Sequence, residues 1–325
     1  MILPGSDPQA ILDAARRIQA GALVGFPTET VYGLGADASS DAAVAGIFAA
    51  KGRPADHPLI VHVADAAQVS DYASSVPPFA QRLIAAFWPG PLTVILPRRD
   101  GVALAAAGGQ NSIGLRCPAH PVALAFLKAC NTGVAGPSAN RFGRVSPTTA
   151  AHVRSEFGDD LLVLDGGPCE VGIESSIVDC TRGRPVLLRP GVLTCAQLEA
   201  ACGEPVLAQD DLDSEAAPRA SGTLESHYAP NAKVRLMDAG AIQTALDLLG
   251  ADAANIAIYA RSIVRIQSDG VLYRRMPDDA LATAQQLFAV LRDFDAKGVK
   301  LIWIENLPDA AEWDGVRDRL ARASA

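Results

Sequence analysis

Lys51 and Arg53 stand two residues apart in AAKGRPADHPLIVHV, residues 49–63. If that segment is extended, both cations point to one side and can grip the same polyanion, Arg as a planar fork and Lys as a point charge. Ser138 and Asn140 repeat the spacing in GPSAN. They add a hydroxyl and an amide, neutral groups that orient phosphates or hold a metal-bound water. Arg116 and Arg189 each end a short apolar run, GLR and LLR, where an arginine can face a carboxylate or a phosphate. Thr28, Glu29, Thr30 and Tyr32 crowd the loop after LVGFP, and Gly33 and Gly35 follow, a spacing suited to a sharp turn or to close approach of a ligand. This inventory is rich in cations and fixed donors and holds no Ser-His-Asp triad. Its chemistry would be the holding of anions. Each pattern alone has a plainer reading: a solvated helix end, an exposed arginine, an Asn turn, or a core histidine for His62.

Regular elements must position these groups. Ile11, Leu12, Ala15 and Ile18 have helical spacing after an Asp7 cap, and Gly21 ends that helix. A strand over 22–26 delivers the PTET loop. Ser40 or Asp41 caps a helix whose end brings Lys51, and 59–63 reads as a buried strand. A helix over 78–87, a rigid WPGP turn read as structural, and strands over 92–96 and 111–116 follow. Then come a helix over 122–130, a very short strand over 134–136, and a helix over 148–156 whose amino end, near Ser146, would suit a phosphate. Strands over 161–164 and 176–179, joined through a glycine-rich stretch, read locally as a hairpin. One more strand runs over 186–189. Residues 204–233 are rich in Asp, Ser, Ala and Pro without a long apolar period, the composition of a linker. From Val234, strands over 234–237, 255–259, 271–274 and 300–305 alternate with helices over 241–249, 279–294 and 313–323, the pattern of a small α/β domain with a mostly parallel sheet.

Length and composition bound the class. The 325 residues suffice for two domains, and 49% hydrophobic with 20% charged residues is a globular composition. A net charge of -8 argues against a broad nucleic-acid or membrane-binding face but leaves room for a small cationic pocket. No two of the six cysteines have the spacing of a zinc ribbon or redox motif, which favours buried thiols. No secretion signal and no apolar run of membrane-spanning length is visible, so a soluble, cytoplasmic protein is expected.

PTETVYGLG, KGRP with HPLIVH, FWPGPLT, GLRCP, GPSAN, GIESSIVD, LLRPG and SHYAP, in this order, resemble the Sua5 branch of the YrdC/Sua5 family of threonylcarbamoyl-AMP synthases. The resemblance implies a twisted mixed open α/β sheet with flanking helices and a deep cleft over 1–205, a linker or lid over 206–232, and a smaller Rossmann-like α/β domain over 233–325. It implies joining of L-threonine, bicarbonate and ATP with release of pyrophosphate, the first step of a tRNA adenosine modification completed by downstream transferase proteins. Carried over residue by residue, it places Lys51, Arg53, Ser138 and Asn140 at the reaction. ATP would meet Lys51, Arg53, His57, Ser112, Ser138, Ser146, Arg189 and Tyr228. Threonine would meet Thr30, His62, Arg116, Gly136 and Ser176. Magnesium would come with ATP, Asn140 orienting phosphate or a magnesium-bound water. Tyr228 would close from the linker. Two departures stand out: His57 where the family usually has Asn, and Ala220–Leu224 in place of a SerProGlyMet-like run. A competing reading is a double-stranded RNA or tRNA-binding module without catalysis, which the net charge and the lack of basic clusters with aromatics disfavour. A hydrogenase-maturation carbamoyltransferase would bring zinc-finger cysteine pairs and an acylphosphatase domain, which are absent. A mere scaffold leaves the ordered polar residues unexplained.

Overall fold

A computed structural model describes residues 1–208, 218–222 and 228–325. His227 of SHYAP and Thr223 and Leu224 of the unusual linker run therefore lie outside the described residues. The order is β1 (Ile2–Pro4), α1 (Pro8–Gln19), β2 (Val24–Phe26), β3 (Gly33–Asp37), α2 (Asp41–Lys51), β4 (Ile60–His62), α3 (Val69–Tyr72), α4 (Pro78–Phe87), β5 (Leu92–Pro97) and β6 (Ser112–Arg116). It continues with α5 (Pro121–Cys130), β7 (Val134–Ala135), α6 (Ala150–Phe157), β8 (Leu162–Asp165), β9 (Ser176–Asp179), β10 (Val186–Arg189), α7 (Cys195–Cys202) and β11 (Leu207–Ala208). After the linker come β12 (Lys233–Met237), α8 (Ala239–Leu249), β13 (Ile256–Ala260), β14 (Val271–Arg275), α9 (Ala280–Ala296), β15 (Leu301–Glu305) and α10 (Asp314–Ser324).

Two sheets organise these elements, as the expected fold class requires. The first is mixed and eleven-stranded, in the order β1-β8-β2-β3-β7-β4-β6-β5-β9-β10-β11; the second is β12-β15-β13-β14. Every pairing in the second sheet is parallel. Caps follow the sequence signals: Asp7 accepts from Gln9 N ahead of α1, and Ser40 accepts from Ala43 N ahead of α2.

Side-chain alternation divides the middle of the large sheet into a dry face and a wet one. Val61 of β4, Val94 and Leu96 of β5, and Ile113 and Leu115 of β6 pack with Val44 and Ile47 of α2 and Leu83 of α4. The intervening residues, Ile60 and His62, Thr93 and Ile95, Gly114 and Arg116, point the other way and floor a cleft. His62 thus breaks the apolar run because it faces that cleft. The second sheet and α9 build a separate core that takes in Val31, Val145, Ile173 and Tyr228, so the carboxy-terminal domain packs onto the loops around the cleft.

Three sequence expectations change. The hairpin of 161–164 with 176–179 does not form: β8 pairs with β1 and β2, and β9 with β5 and β10. Both are apolar, buried strands, and only the whole sheet decides their neighbours. Gly33 and Gly35 are not in a turn but in β3, where a β-carbon would come 2.7 Å and 3.2 Å from the Phe26 ring. The close approach is to an aromatic ring. Lys51 and Arg53 do not alternate on an extended segment either: Lys51 ends α2 and Gly52 caps it with φ +64, a left-handed turn that glycine adopts without strain.

Candidate active site

The cleft has an empty volume of about 470 Å³, and its lining includes Thr28, Arg53, Ile60, His62, Arg116 and Gly136. Ser138, Glu174, Ser175, Arg189, Ser221, Gly222 and Tyr228 complete its polar wall and roof. A second lobe of about 300 Å³ continues past Ile60 and Ser221 to Ser112, Gly114, Ile95 and Ile177, with Gln110 and Arg219 at its rim. Among the predicted residues, Arg53, His62, Arg116, Gly136, Ser138, Arg189 and Tyr228 meet in the first lobe, and Ser112 lies in the second. Three guanidiniums against one carboxylate make this a cationic enclosure in a protein of net charge -8.

Arg116, at the end of β6, sits in register with His62 of β4. Its guanidinium donates to Glu29 Oε1 at 2.6 Å, Thr30 Oγ1 at 2.7 Å and the Gly90 carbonyl at 3.2 Å. WPGP therefore does more than turn the chain: Gly90 helps to hold Arg116. Three of five N–H donors are spent and two remain for a ligand. Arg189, at the end of β10, donates to the Ser175 carbonyl and hydroxyl and, at 2.7 Å, to the Ser221 carbonyl of the linker, again leaving two. Arg53 donates through one nitrogen to the Pro58 carbonyl at 3.0 Å and Ser221 Oγ at 3.4 Å. Burial lowers its guanidinium to about 10, with Tyr228 opposing that shift and Arg189 adding to it, so it stays protonated at neutral pH.

Several buried polar atoms at this place lack a partner among the described residues: Glu29 Oε2, Arg53 Nε, His62 Nδ1, Asn140 Oδ1 and Ser176 Oγ. Of these, Arg53 and His62 line the cleft itself; leaving such an atom dry costs about 1–3 kcal/mol, so the pair marks a place built for a polar occupant. His62 is neutral here: burial, then the Arg116 charge, push its imidazole down to about 3.

The remaining predicted residues stand behind the lining. Thr30 supports Arg116 as described, and its hydroxyl is 2.8 Å from that of Thr28, which does line the cleft. Lys51 is buried and donates to the backbone carbonyls of Ser138 and Asn140, tying the helix end to the GPSAN loop. Burial and the Arg53 charge push its amine well below the ordinary lysine value. The Asn140 amide donates to the Arg141 and Arg144 carbonyls at 2.8 Å each, which leaves its oxygen as the atom to offer. Ser176 is fully buried beside the lining residue Ser175. His57 lies outside both lobes against Phe142, ring centroids 5.6 Å apart, and burial with the Arg53 charge lowers its imidazole. Ser146 donates to Glu174 Oε1. The expectation that the amino end of its helix faces a phosphate is not met. Thr149 caps α6, and Ala151 and His152 line a groove against α9 instead.

Sequence reasoning named Thr28 only as part of the polar PTET loop and passed over Glu174, Ser175, Ser221 and Gly222 as site residues, although GIESS and the linker contained them. It had no signal for Arg319. This fully buried arginine of α10 donates to Glu174 Oε2 at 2.8 Å and lies 5.3 Å from the centre of the Tyr228 ring. Glu174 is kept ionised: burial would raise it, but Arg319, Arg189 and the Ser146 hydroxyl together hold it below the usual value. Tyr228 has φ +62 and stacks on Phe288 of α9 at 5.5 Å. The linker is thus held from both domains. No group of three or more His, Cys, Asp or Glu is placed to hold a metal among the described residues. No described helix is long and apolar enough to cross a membrane. Five of the six cysteines are buried and all are free.

A family model described as "Telomere recombination", covering Sua5, YciO and YrdC, matches residues 16–191. A second, described as the threonylcarbamoyl-AMP synthase C-terminal domain, matches residues 193–325. The threonylcarbamoyl-AMP synthase of Pyrococcus abyssi is 38% identical over 96% of this chain and 93% of its own length. That of Bacillus subtilis is 36% identical over 99% and 94%. Among solved structures, a doubly substituted P. abyssi Sua5 superposes with a TM-score of 0.91 at 34% identity, covering 100% of this chain and 96% of that one. P. abyssi Sua5 complexed with L-threonine gives 0.89 at 36% identity, covering 98% and 95%.

Proposed function

Because the chain belongs to the Sua5 branch of the YrdC/Sua5 family and is an enzyme of the threonylcarbamoyl-AMP synthase type, we propose that its cleft joins L-threonine, bicarbonate or carbon dioxide, and ATP into threonylcarbamoyl-AMP. The observation that carries this reading is the trio Arg53, Arg116 and Arg189, buried around one cleft with N–H donors still unspent. Threonine, carbamate and nucleotide are all anionic, and so is the transition state of their reaction. Fixed donors in a dry site are what such a reaction needs.

The threonine amine adds to carbon dioxide and loses a proton, giving a carbamate. A carbamate oxygen then attacks the α-phosphorus of ATP; the bond from that phosphorus to the bridging oxygen breaks, and pyrophosphate leaves. Arg116, already aligned by Glu29, Thr30 and Gly90, holds the amino-acid carboxylate with its two remaining N–H groups. Neutral His62 meets the rest of threonine, whereas Ser176 points to the opposite face of β9 from the lining residues Ser175 and Ile177; the bare backbone at Gly136 leaves room for the amino acid, since a β-carbon there would come within 3.0 Å of His62 Nδ1. Arg53, Arg189, Ser112 and Ser138 take the nucleotide, with Lys51 fixing the GPSAN loop. Tyr228 and Ser221 cover the site and exclude water, which would hydrolyse the mixed anhydride. Magnesium fits as a cation carried in by the phosphates and not by a protein cage. Asn140 supplies one buried oxygen donor toward it, and the ion would neutralise phosphate charge. The product passes to downstream transferase proteins that act on tRNA.

Pyrophosphate release from ATP, with magnesium, with and without threonine and bicarbonate, tests this. Wild type should need both co-substrates. Arg53→Ala, which removes a fixed cation from the lining of the cleft, should lose about 100- to 1000-fold. ATP consumption indifferent to threonine would overturn the reading.

A further inference from the structure

We propose that Arg319, on the last helix of the chain, is a positioning residue of the cleft, through which the carboxy-terminal domain holds Glu174 in the wall and Tyr228 in the roof. The proposal rests on the reading of the cleft as a nucleotide site. Arg319 is 0% exposed, and all three of its guanidinium nitrogens are hydrogen-bonded. Its Nε donates to Glu174 Oε2 at 2.8 Å, and a second nitrogen donates to the Glu174 carbonyl at 3.1 Å. The third donates to the Pro190 carbonyl at 2.8 Å, next to the cleft residue Arg189, to Asp318 at 2.7 Å and more weakly to Gly315 at 3.5 Å. One fork thus touches the wall residue, the roof ring and the residue after another cleft arginine. These targets are 145, 91 and 129 positions away in the chain, counting from 174, 228 and 190 to 319.

Backbone packing makes the reach possible. Gly315, one turn before Arg319, lies so close to Gly191 that a β-carbon would come 2.4 Å from the Gly191 carbonyl oxygen. Gly172 with φ +82 is pressed likewise on Gln285 of α9. A side chain at either place would push the domains apart and carry the guanidinium away from Glu174. A buried ion pair is weak support for stability, since desolvation offsets much of the attraction. What this one supplies is orientation: a planar, bidentate hold on Glu174 that also faces the Tyr228 ring, which a lysine ammonium cannot reproduce.

The test uses the full chain as wild type, Arg319→Lys and Arg319→Met, and reads kcat and KM for ATP in threonine-dependent pyrophosphate release alongside thermal melting. Arg319→Met should raise KM for ATP about tenfold or more, a loss of one hydrogen-bonded charge contact, with a smaller change in kcat. Arg319→Lys should fall between the two, because it keeps the charge and loses the fork. Variants that melt earlier yet keep wild-type KM and kcat would overturn the proposal and leave Arg319 a purely structural residue. Should Arg319→Met fail to fold, Arg319→Lys decides: an unchanged KM overturns, a raised KM supports. If wild type itself shows no threonine-dependent release, the functional reading falls, and equilibrium binding of ATP to wild type and Arg319→Lys decides the positioning role separately.

Discussion

The two domains are made of similar materials and differ in where they put charge. Both bury apolar strands under helices. In the first, Glu29, Lys51, Arg53, Arg116, Glu174, Asp179 and Arg189 are also buried, most of them around one face of the sheet. From residue 233 onward the buried charges among the described residues are Glu305 and Arg319, and Arg319 is spent on the first domain. Taking an ion from water costs several kcal/mol even after relaxation, so a fold keeps such groups where a partner or ligand answers them. The difference agrees with the proposed roles, in which the large sheet floors a site for anions and the small one braces it.

Arg116→Ala should break the contrast most sharply. It strands Glu29 as a buried, unpaired carboxylate, and removing one member of a buried pair costs about 3–5 kcal/mol. Chemical denaturation should show that loss, and activity at raised threonine should not return to the wild-type level. A midpoint within error of wild type would mean that water reaches Glu29. His62 gives a smaller, pH-dependent effect. Its folded pKa of about 3 lies below the unfolded value of about 6.5, so the unfolded state binds the extra proton between them. Its stability contribution is therefore full above about 6.5 and is lost as pH falls toward 3, by at most about 1.4 kcal/mol per pH unit. His62→Gln should flatten that acid slope; an unchanged slope would assign it to other groups, such as His152, which burial lowers to about 4. The mildest test lies in the second domain, where Arg274 pairs with Asp293 at 3.3 Å with both side chains well exposed. Arg274→Ala should change stability by about 0–1 kcal/mol and leave pyrophosphate release alone. A marked loss of activity would show that the small domain has chemistry of its own.

Much of the cleft was visible in the sequence because its residues sit at strand ends and in loops rich in Gly and Pro. Arg116 closes an apolar strand, Arg189 another, and GPSAN follows a third; short-range pattern puts them at strand ends, and the family resemblance implied that they share one site. Their companions were harder. Glu174 read as part of a glycine-rich turn, and WPGP as a bare turn, because which carbonyl or carboxylate faces Arg116 or Arg319 depends on strands far apart in the chain.

By itself the sequence determined the apolar strand segments of the large sheet, the capped helices, and the α/β pattern after residue 233. Those are local properties, set by side-chain size, periodicity and caps. Only the tertiary structure decided that β8 and β9 part company, that Phe26 needs glycines at 33 and 35, that Lys51 grips the GPSAN backbone, and that the last helix reaches back to the cleft. Each of these depends on a contact between segments many residues apart, and no local periodicity encodes which of several compatible partners a buried strand or charge will meet.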